Sequence, residues 1–210
     1  MKKIFLTGIL SILFMGISFA QIPRIGITAG LNVSNVNESG YGENFKPGFQ
    51  TGFVADFGIT QNFSIMPELL FTQRGCKYDG VNNRDAGSST LNYLQLPINA
   101  AYKFDVRMGS KVFVFAGPYF GYGISGTSKD DVTGSSSSIK FGSGYNTKPF
   151  DFGINVGVGY EYEKVFIKLQ YNQGISNIYN YQGSFDNYTD NTNFSVRNQN
   201  IAITVGYYFN

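Results

Sequence analysis

The sequence predicts an all-β fold, an eight-stranded antiparallel up-and-down transmembrane β-barrel, on three observations. Apolar residues recur at every second position in eight separate segments, the connections between those segments alternate long and short, and aromatic residues reach 17% while charged residues are held to 14%. Side chains alternate across a strand, so a period of two gives each segment one bulky apolar face and one small or polar face. A soluble domain carries about 25% charged residues, so the shortage points to a surface that does not meet water.

The chain begins with Lys2 and Lys3, an apolar run from Ile4 to Phe19, and a small residue, Ala20, before Gln21. That is the layout of a secretory signal peptide, which assigns residues 1–20 to the signal and 21–210 to one barrel domain. Removing the signal takes away two lysines and leaves 14 basic against 14 acidic residues, a formally neutral chain that speaks against nucleic-acid binding. Beyond the signal no run approaches the ~20 apolar residues of a membrane-spanning helix. Cys76 is the sole cysteine, so no intrachain disulfide is available.

The eight series follow in order. The first is Ile25, Ile27, Ala29, Leu31, Val33, and the second is Phe49, Phe53, Ala55, Phe57, Ile59. The third is Phe63, Ile65, Pro67, Leu69, Phe71, and the fourth runs Leu94, Leu96, Ile98, Ala100, Tyr102, Phe104. The fifth, Val112 to Ile124, is the least regular, because Phe113, Phe115 and Tyr119 fall on the face that is otherwise small or polar. The sixth is the cleanest: Phe150, Phe152, Ile154, Val156, Val158, Tyr160 and Tyr162 alternate with Asp151, Gly153, Asn155, Gly157, Gly159 and Glu161. The seventh is Val165, Ile167, Leu169, Tyr171, and the last Ile201, Ile203, Val205, Tyr207, Phe209.

Packing decides which face points outward. An eight-stranded barrel has room for little more than its own side chains, so the bulky face cannot all turn inward. Gly, Ser, Thr and Asn are therefore expected to line a narrow lumen while the apolar face meets outer-membrane lipid, with aromatics near strand ends as interfacial girdles. The expected connections are residues 34–44, 60–62, 77–90, 105–110, 126–148, 163–164 and 176–196, long alternating with short as in outer-membrane barrels. The ending Tyr207-Tyr208-Phe209-Asn210 is similar to the aromatic signal that barrel-assembly machinery reads, displaced by one residue.

The candidate functional residues are few. No His occurs, so His-dependent acid–base triads cannot be built and the commonest transition-metal ligand is missing. No catalytic, cofactor or metal residue is assigned and no enzyme activity is expected. Asp56, Glu68, Lys103, Asp151, Glu161 and Lys168 fall on the lumen face, with Arg24 and Arg74 placed nearer the strand ends. Opposite charges across a narrow lumen satisfy one another, so a plug is favoured over an ion path. Ser135 to Ser138, between Gly134 and Gly142, read as a flexible polar loop. Tyr179, Tyr181, Phe185, Tyr188 and Phe194, interleaved with Asn and Asp, offer rigid contact area for a protein or glycan at an outer loop, against the plainer reading of a solvated loop.

Several stretches carry a family resemblance: Phe71-Thr72-Gln73-Arg74-Gly75, Tyr93-Leu94-Gln95-Leu96-Pro97-Ile98, Gly117-Pro118-Tyr119-Phe120-Gly121-Tyr122, the span Asp151 to Glu161, and Tyr171 through Ile175. In this order they resemble the PorT-like outer-membrane β-barrel family of the Bacteroidota. The resemblance implies an integral outer-membrane barrel, in a family some of whose members assist protein secretion, and it supplies no catalytic residues. The expected function is a monomeric, non-enzymatic scaffold, structural or surface-binding; the runner-up is a small transport or secretion component.

Overall fold

The computed structural model describes residues 22–37, 43–78, 86–107, 109–142, 147–179 and 196–210. Among these, nine strands form: β1 (Arg24–Asn37), β2 (Glu43–Gly58), β3 (Phe63–Tyr78), β4 (Gly87–Arg107), β5 (Ser110–Asp130), β6 (Ser136–Ile139), β7 (Phe150–Tyr162), β8 (Val165–Gly174) and β9 (Arg197–Tyr208). Eight of them close into a ring in the order β1-β2-β3-β4-β5-β7-β8-β9, with β9 pairing back onto β1 and every pair antiparallel. The ninth, β6, hangs on the outer end of β5 alone. Closure pairs the backbone of each of the eight ring strands on both sides, which is what lets strands cross a bilayer.

Burial follows the period-two pattern. Val54, Glu68, Asn99, Phe113, Asp151, Lys168 and Thr204 are buried, while Phe53, Leu69, Ile98, Val114, Phe152, Ile167 and Ile203 on the opposite faces of the same strands are exposed. An unbroken outer wall of Ile, Leu, Val, Phe and Tyr far exceeds the few hundred Å2 of apolar patch that a water-soluble monomer tolerates. The bulky face is outside.

Short turns gather at the end that also holds both termini of the barrel. Residues 59–62 are closed by Ile59 N donating to Phe63 O at 2.9 Å and by Phe63 N donating to Thr60 Oγ1 at 3.0 Å. The two-residue turn at 163–164 places Glu163 at a φ of 52°, where the favoured hairpin sequences put Asn or Gly. At the β1–β9 seam, Asn210 Nδ2 donates to Pro23 O at 3.0 Å and Asn210 Oδ1 accepts from Ile25 N at 3.0 Å.

The long connections are shorter than the periodicity suggests. β1 continues to Asn37, β3 to Tyr78, and β4 and β5 are each 21 residues long, against the ~9–11 that span a bilayer. The cause lies in backbone pairing, which continues after the apolar alternation stops: Gly87 to Asn92 pair with Asp130 to Ser125 although both segments, Leu91 apart, are small or polar. The serine run is likewise corrected from a flexible loop to strand β6, paired as Gly126↔Ile139 through Lys129↔Ser136. The turn joining β5 to β6 is held by Asp130, whose Oδ1 accepts from Val132 N (2.8 Å) and Thr133 N (3.0 Å). These backbone bonds from Thr133 and Val132 also hold the exposed Asp130 carboxyl below its usual range.

Candidate functional site in the barrel lumen

Among the described residues, eight charged side chains pair with one another inside the lumen, four cations and four anions, and they sort into three levels. At the turn end, Arg24 from β1, Asp56 from β2, Lys103 from β4 and Glu161 from β7 form a closed cycle. Arg24 reaches Asp56 at 2.5 Å and Glu161 at 2.7 Å, and Lys103 reaches the same two carboxylates at 2.5 and 3.1 Å. The Arg24 guanidinium also lies 4.2 Å from the centre of the Tyr208 ring.

In the middle, Lys168 from β8 bonds Glu68 from β3 across the lumen, both side chains about 1% exposed. Asn99 Nδ2 donates to the same Glu68 Oε1 at 3.3 Å, and Asn155 Nδ2 donates to Asn99 Oδ1 at 3.1 Å, so β3, β4, β7 and β8 meet at one level. Beside it, Gln50 Nε2 donates to Thr204 Oγ1 at 2.9 Å.

At the loop end, Asp151 is the hub. Its Oδ2 receives Arg74 Nη1 (3.3 Å), Tyr119 Oη (3.2 Å) and Asn198 Nδ2 (2.9 Å), while its Oδ1 receives Ser176 Oγ (2.7 Å). Arg74 also donates to Gln95 Oε1. Each buried charge thus has an opposite charge within ion-pair distance, the condition under which a charge is tolerated away from water.

Above this level an apolar cluster covers the mouth. Cys76, Leu91 and Tyr93 from the wall pack with Ile178 and Val196 from the β8–β9 connection, and Ile139, Phe141 and Tyr179 lie against them. Backbone bonds hold the covering segment in place: Ile178 N donates to Val196 O at 3.0 Å, Lys148 N to Ile178 O at 2.8 Å, and Ser176 N to Phe152 O at 3.2 Å.

The expectation that small and amide residues line the lumen is corrected in one respect. Phe113, Phe115, Tyr119 and Phe166 also fill it, each directly across from a glycine on the next strand: Phe113↔Gly159, Phe115↔Gly157, Tyr119↔Gly153 and Phe166↔Gly206. A Cβ added at Gly159 would lie 2.2 Å from the Phe113 ring and one at Gly206 2.1 Å from the Phe166 ring. These glycines leave room for the neighbouring ring, so the lumen is a packed interior of interlocked rings and gaps.

Asp56, Glu68, Lys103, Asp151, Glu161 and Lys168 all occupy the lumen, on three levels. Arg24 and Arg74, set apart in the sequence as end residues, are full members; both share the parity of the other inward residues of β1 and β3, which is the signal that finds them. Of the loop aromatics, Tyr179 is half-buried against the lid cluster, and Tyr181, Phe185, Tyr188 and Phe194 lie outside the described residues. Among the described residues no group of three or more Cys, Asp or Glu could hold a metal ion. Cations occupy all four lumen carboxylates, an arrangement suited to filling space without free charge.

Residues 19–180 match the family model described as outer membrane protein beta-barrel domain. The fold is similar to that of Neisserial surface protein A, at 14% identity over 90% of this chain and 100% of that one, with a TM-score of 0.50. Two further similar structures are Ail, the attachment invasion locus protein of Yersinia pestis, in complex with the heparin analogue sucrose octasulfate (15% identity, 90% and 100% covered, TM-score 0.46), and OprG from Pseudomonas aeruginosa (12%, 89% and 94%, 0.47). No curated protein matches the sequence. With the family model covering most of its length, the chain belongs to the outer membrane protein beta-barrel domain family and is an integral protein of the outer membrane.

Proposed function

We propose that the protein is a closed, non-enzymatic, monomeric scaffold that presents its loop end at the cell surface, either as a structural element or for binding a partner. The observation that carries this reading is the sequence of seals along the lumen: three charge-balanced levels, with rings packed between them and an apolar lid above. A solute crossing such a lumen would have to break ion pairs that are expensive to separate. In planar bilayers the purified protein is expected to give no steady, large conductance. Stable open-channel currents from the unmodified protein would defeat the reading and favour the transport or secretion role that the PorT-like motifs suggest. Processing belongs to the same proposal. Terminal sequencing of protein recovered from outer membranes is expected to start at Gln21, and a retained Met1 would remove the signal peptide from it.

A further inference from the structure

The outward faces of β3, β4 and β5 change character in three tiers toward the loop end. The lowest tier is apolar: Phe71, Leu94 and Ile124 are the last bulky apolar side chains on the outward faces of their strands. Thr51, Phe53, Leu69, Phe71 and Leu94 border an open trough of about 740 Å3 in this wall. The next tier is neutral and polar. Gln73 Nε2 donates to Asn92 Oδ1 at 3.3 Å, Asn92 Nδ2 donates to Ser125 Oγ at 2.9 Å, and Thr90 stands opposite Thr127.

The third tier is basic. Lys77 and Lys129 lie opposite Ser88 from either side, on one face, with their strands about 10 Å apart. Lys46 reaches across from β2, its Nζ 2.6 Å from Thr90 Oγ1 and 3.3 Å from Ser89 O. Burial first, and then the charges of Lys77 and Lys129, hold the Lys46 ammonium below the ordinary lysine range, against Cys76 and Asp131, which act the other way. The lumen cations all have carboxylate partners, and these three do not. Among the described residues, Lys46 donates only to neutral oxygens, the exposed Lys77 forms no ion pair, and Lys129 has one exposed pair, to Asp131 at 3.7 Å. Such a pair contributes little. Asp130 beside it is taken up by the backbone N–H groups of Val132 and Thr133.

Height selects the anion that would complete the tier. From Leu94 to Ser88 the strand advances about 20 Å, or about 15 Å along the membrane normal at a tilt of about 40°. The headgroup layer of an ordinary bilayer is only about 5–8 Å deep on each side. A phospholipid phosphate therefore lies below the lysines, whereas a phosphate carried on sugars stands at their level.

We infer that this face binds a phosphorylated glycolipid of the outer leaflet, with its phosphate between Lys46, Lys77 and Lys129. Acyl chains lie against the apolar wall, and sugar hydroxyls meet the band of amides and hydroxyls above it. The inference rests on the scaffold reading for placing the loop end outside. Binding in detergent, where both ends are accessible, depends on neither orientation nor conductance, so the two can fail separately.

The full-length protein in detergent is titrated with rough-type lipopolysaccharide, a lipid bearing a short phosphorylated sugar core, and the bound fraction is read by native mass spectrometry. Lys46→Gln, Lys77→Gln and Lys129→Gln are each expected to weaken binding about fivefold, and the triple variant about a hundredfold. Lys77→Gln removes a charge that has no ion-pair partner, so its effect does not come from a broken salt bridge within the fold. Lys111→Gln, at the turn end, should bind as the unmodified protein does. The same lipid stripped of phosphate should bind the unmodified protein and the triple variant alike, both weakly. Three results would overturn the inference: a triple variant that binds the phosphorylated lipid as tightly as the unmodified protein, undiminished binding of the stripped lipid, or phosphatidylglycerol binding equally tightly with the same dependence on the lysines, which would make the occupant any anionic lipid.

Discussion

Replacing Lys168 with methionine is expected to destabilise the barrel by about 3–5 kcal/mol, because it leaves Glu68 charged and without its cation at a fully buried position. Asn99 would remain as a donor to that carboxylate, but a neutral amide at 3.3 Å does not replace an ammonium group. Removing both charges in a Lys168→Met, Glu68→Leu double variant is expected to recover most of the loss, since an apolar pair of similar volume is often no worse than the buried ion pair. Urea-induced unfolding in phospholipid vesicles measures all three proteins. A single variant losing less than about 1 kcal/mol would mean that water reaches this level, as it reaches exposed pairs, and the case for a closed lumen would weaken with it.

The second large effect concerns the glycine opposite Phe113. Gly159→Val is expected to cost about 3 kcal/mol, by forcing a branched side chain into space that the buried Phe113 ring occupies. The ring has nowhere to turn, since Phe115 stacks beside it with ring centres 5.9 Å apart and Lys103 lies 5.9 Å from its face. Adding Phe113→Leu should return part of the stability, which separates a clash with that ring from a general intolerance of side chains on β7. Gly121→Ala serves as the control. Its added Cβ would sit at ordinary contact distance, 3.4 Å or more from every neighbour, so little change is expected although Gly121 also faces the lumen. Equal losses at Gly159 and Gly121 would show that chain flexibility, not ring packing, sets the requirement.

Much of this architecture is legible in the sequence because one physical rule, alternation across a strand, acts independently in each of eight segments. It gives the outward face, the strand count and the inward set from Arg24 to Thr204. The same rule places Phe166 inside with Lys168. What it does not give is the level at which each inward charge lies, because level depends on stagger between strands; Glu68 meets Lys168 over a separation of 100 residues. Nor does it give strand ends. Apolar alternation reports contact with lipid and stops where the lipid stops, whereas backbone pairing goes on through polar residues such as Ser88, Thr127 and Ser137. The serine run illustrates this: its composition is that of a linker, and only the neighbouring edge of β5 makes it a strand. Phe113, Phe115 and Tyr119 look irregular in sequence because the glycines that accommodate them, Gly159, Gly157 and Gly153, lie far along the chain, a matching that becomes visible only with the β5–β7 register.

The four-membered cycle at the turn end bears on how the molecule is put together. Its members come from the first, second, fourth and seventh strands in chain order, so no single hairpin can assemble it. Until the last strand joins the first, Arg24 has no fixed place beside Glu161, and a slip of two residues at that junction would carry it about 7 Å away along the strand axis. An open or misaligned intermediate would therefore bring uncompensated charge into a hydrocarbon medium, a heavy penalty there. The cycle works as a checksum on the final joint, since Arg24 reaches Glu161 only when the closing strands are correctly aligned.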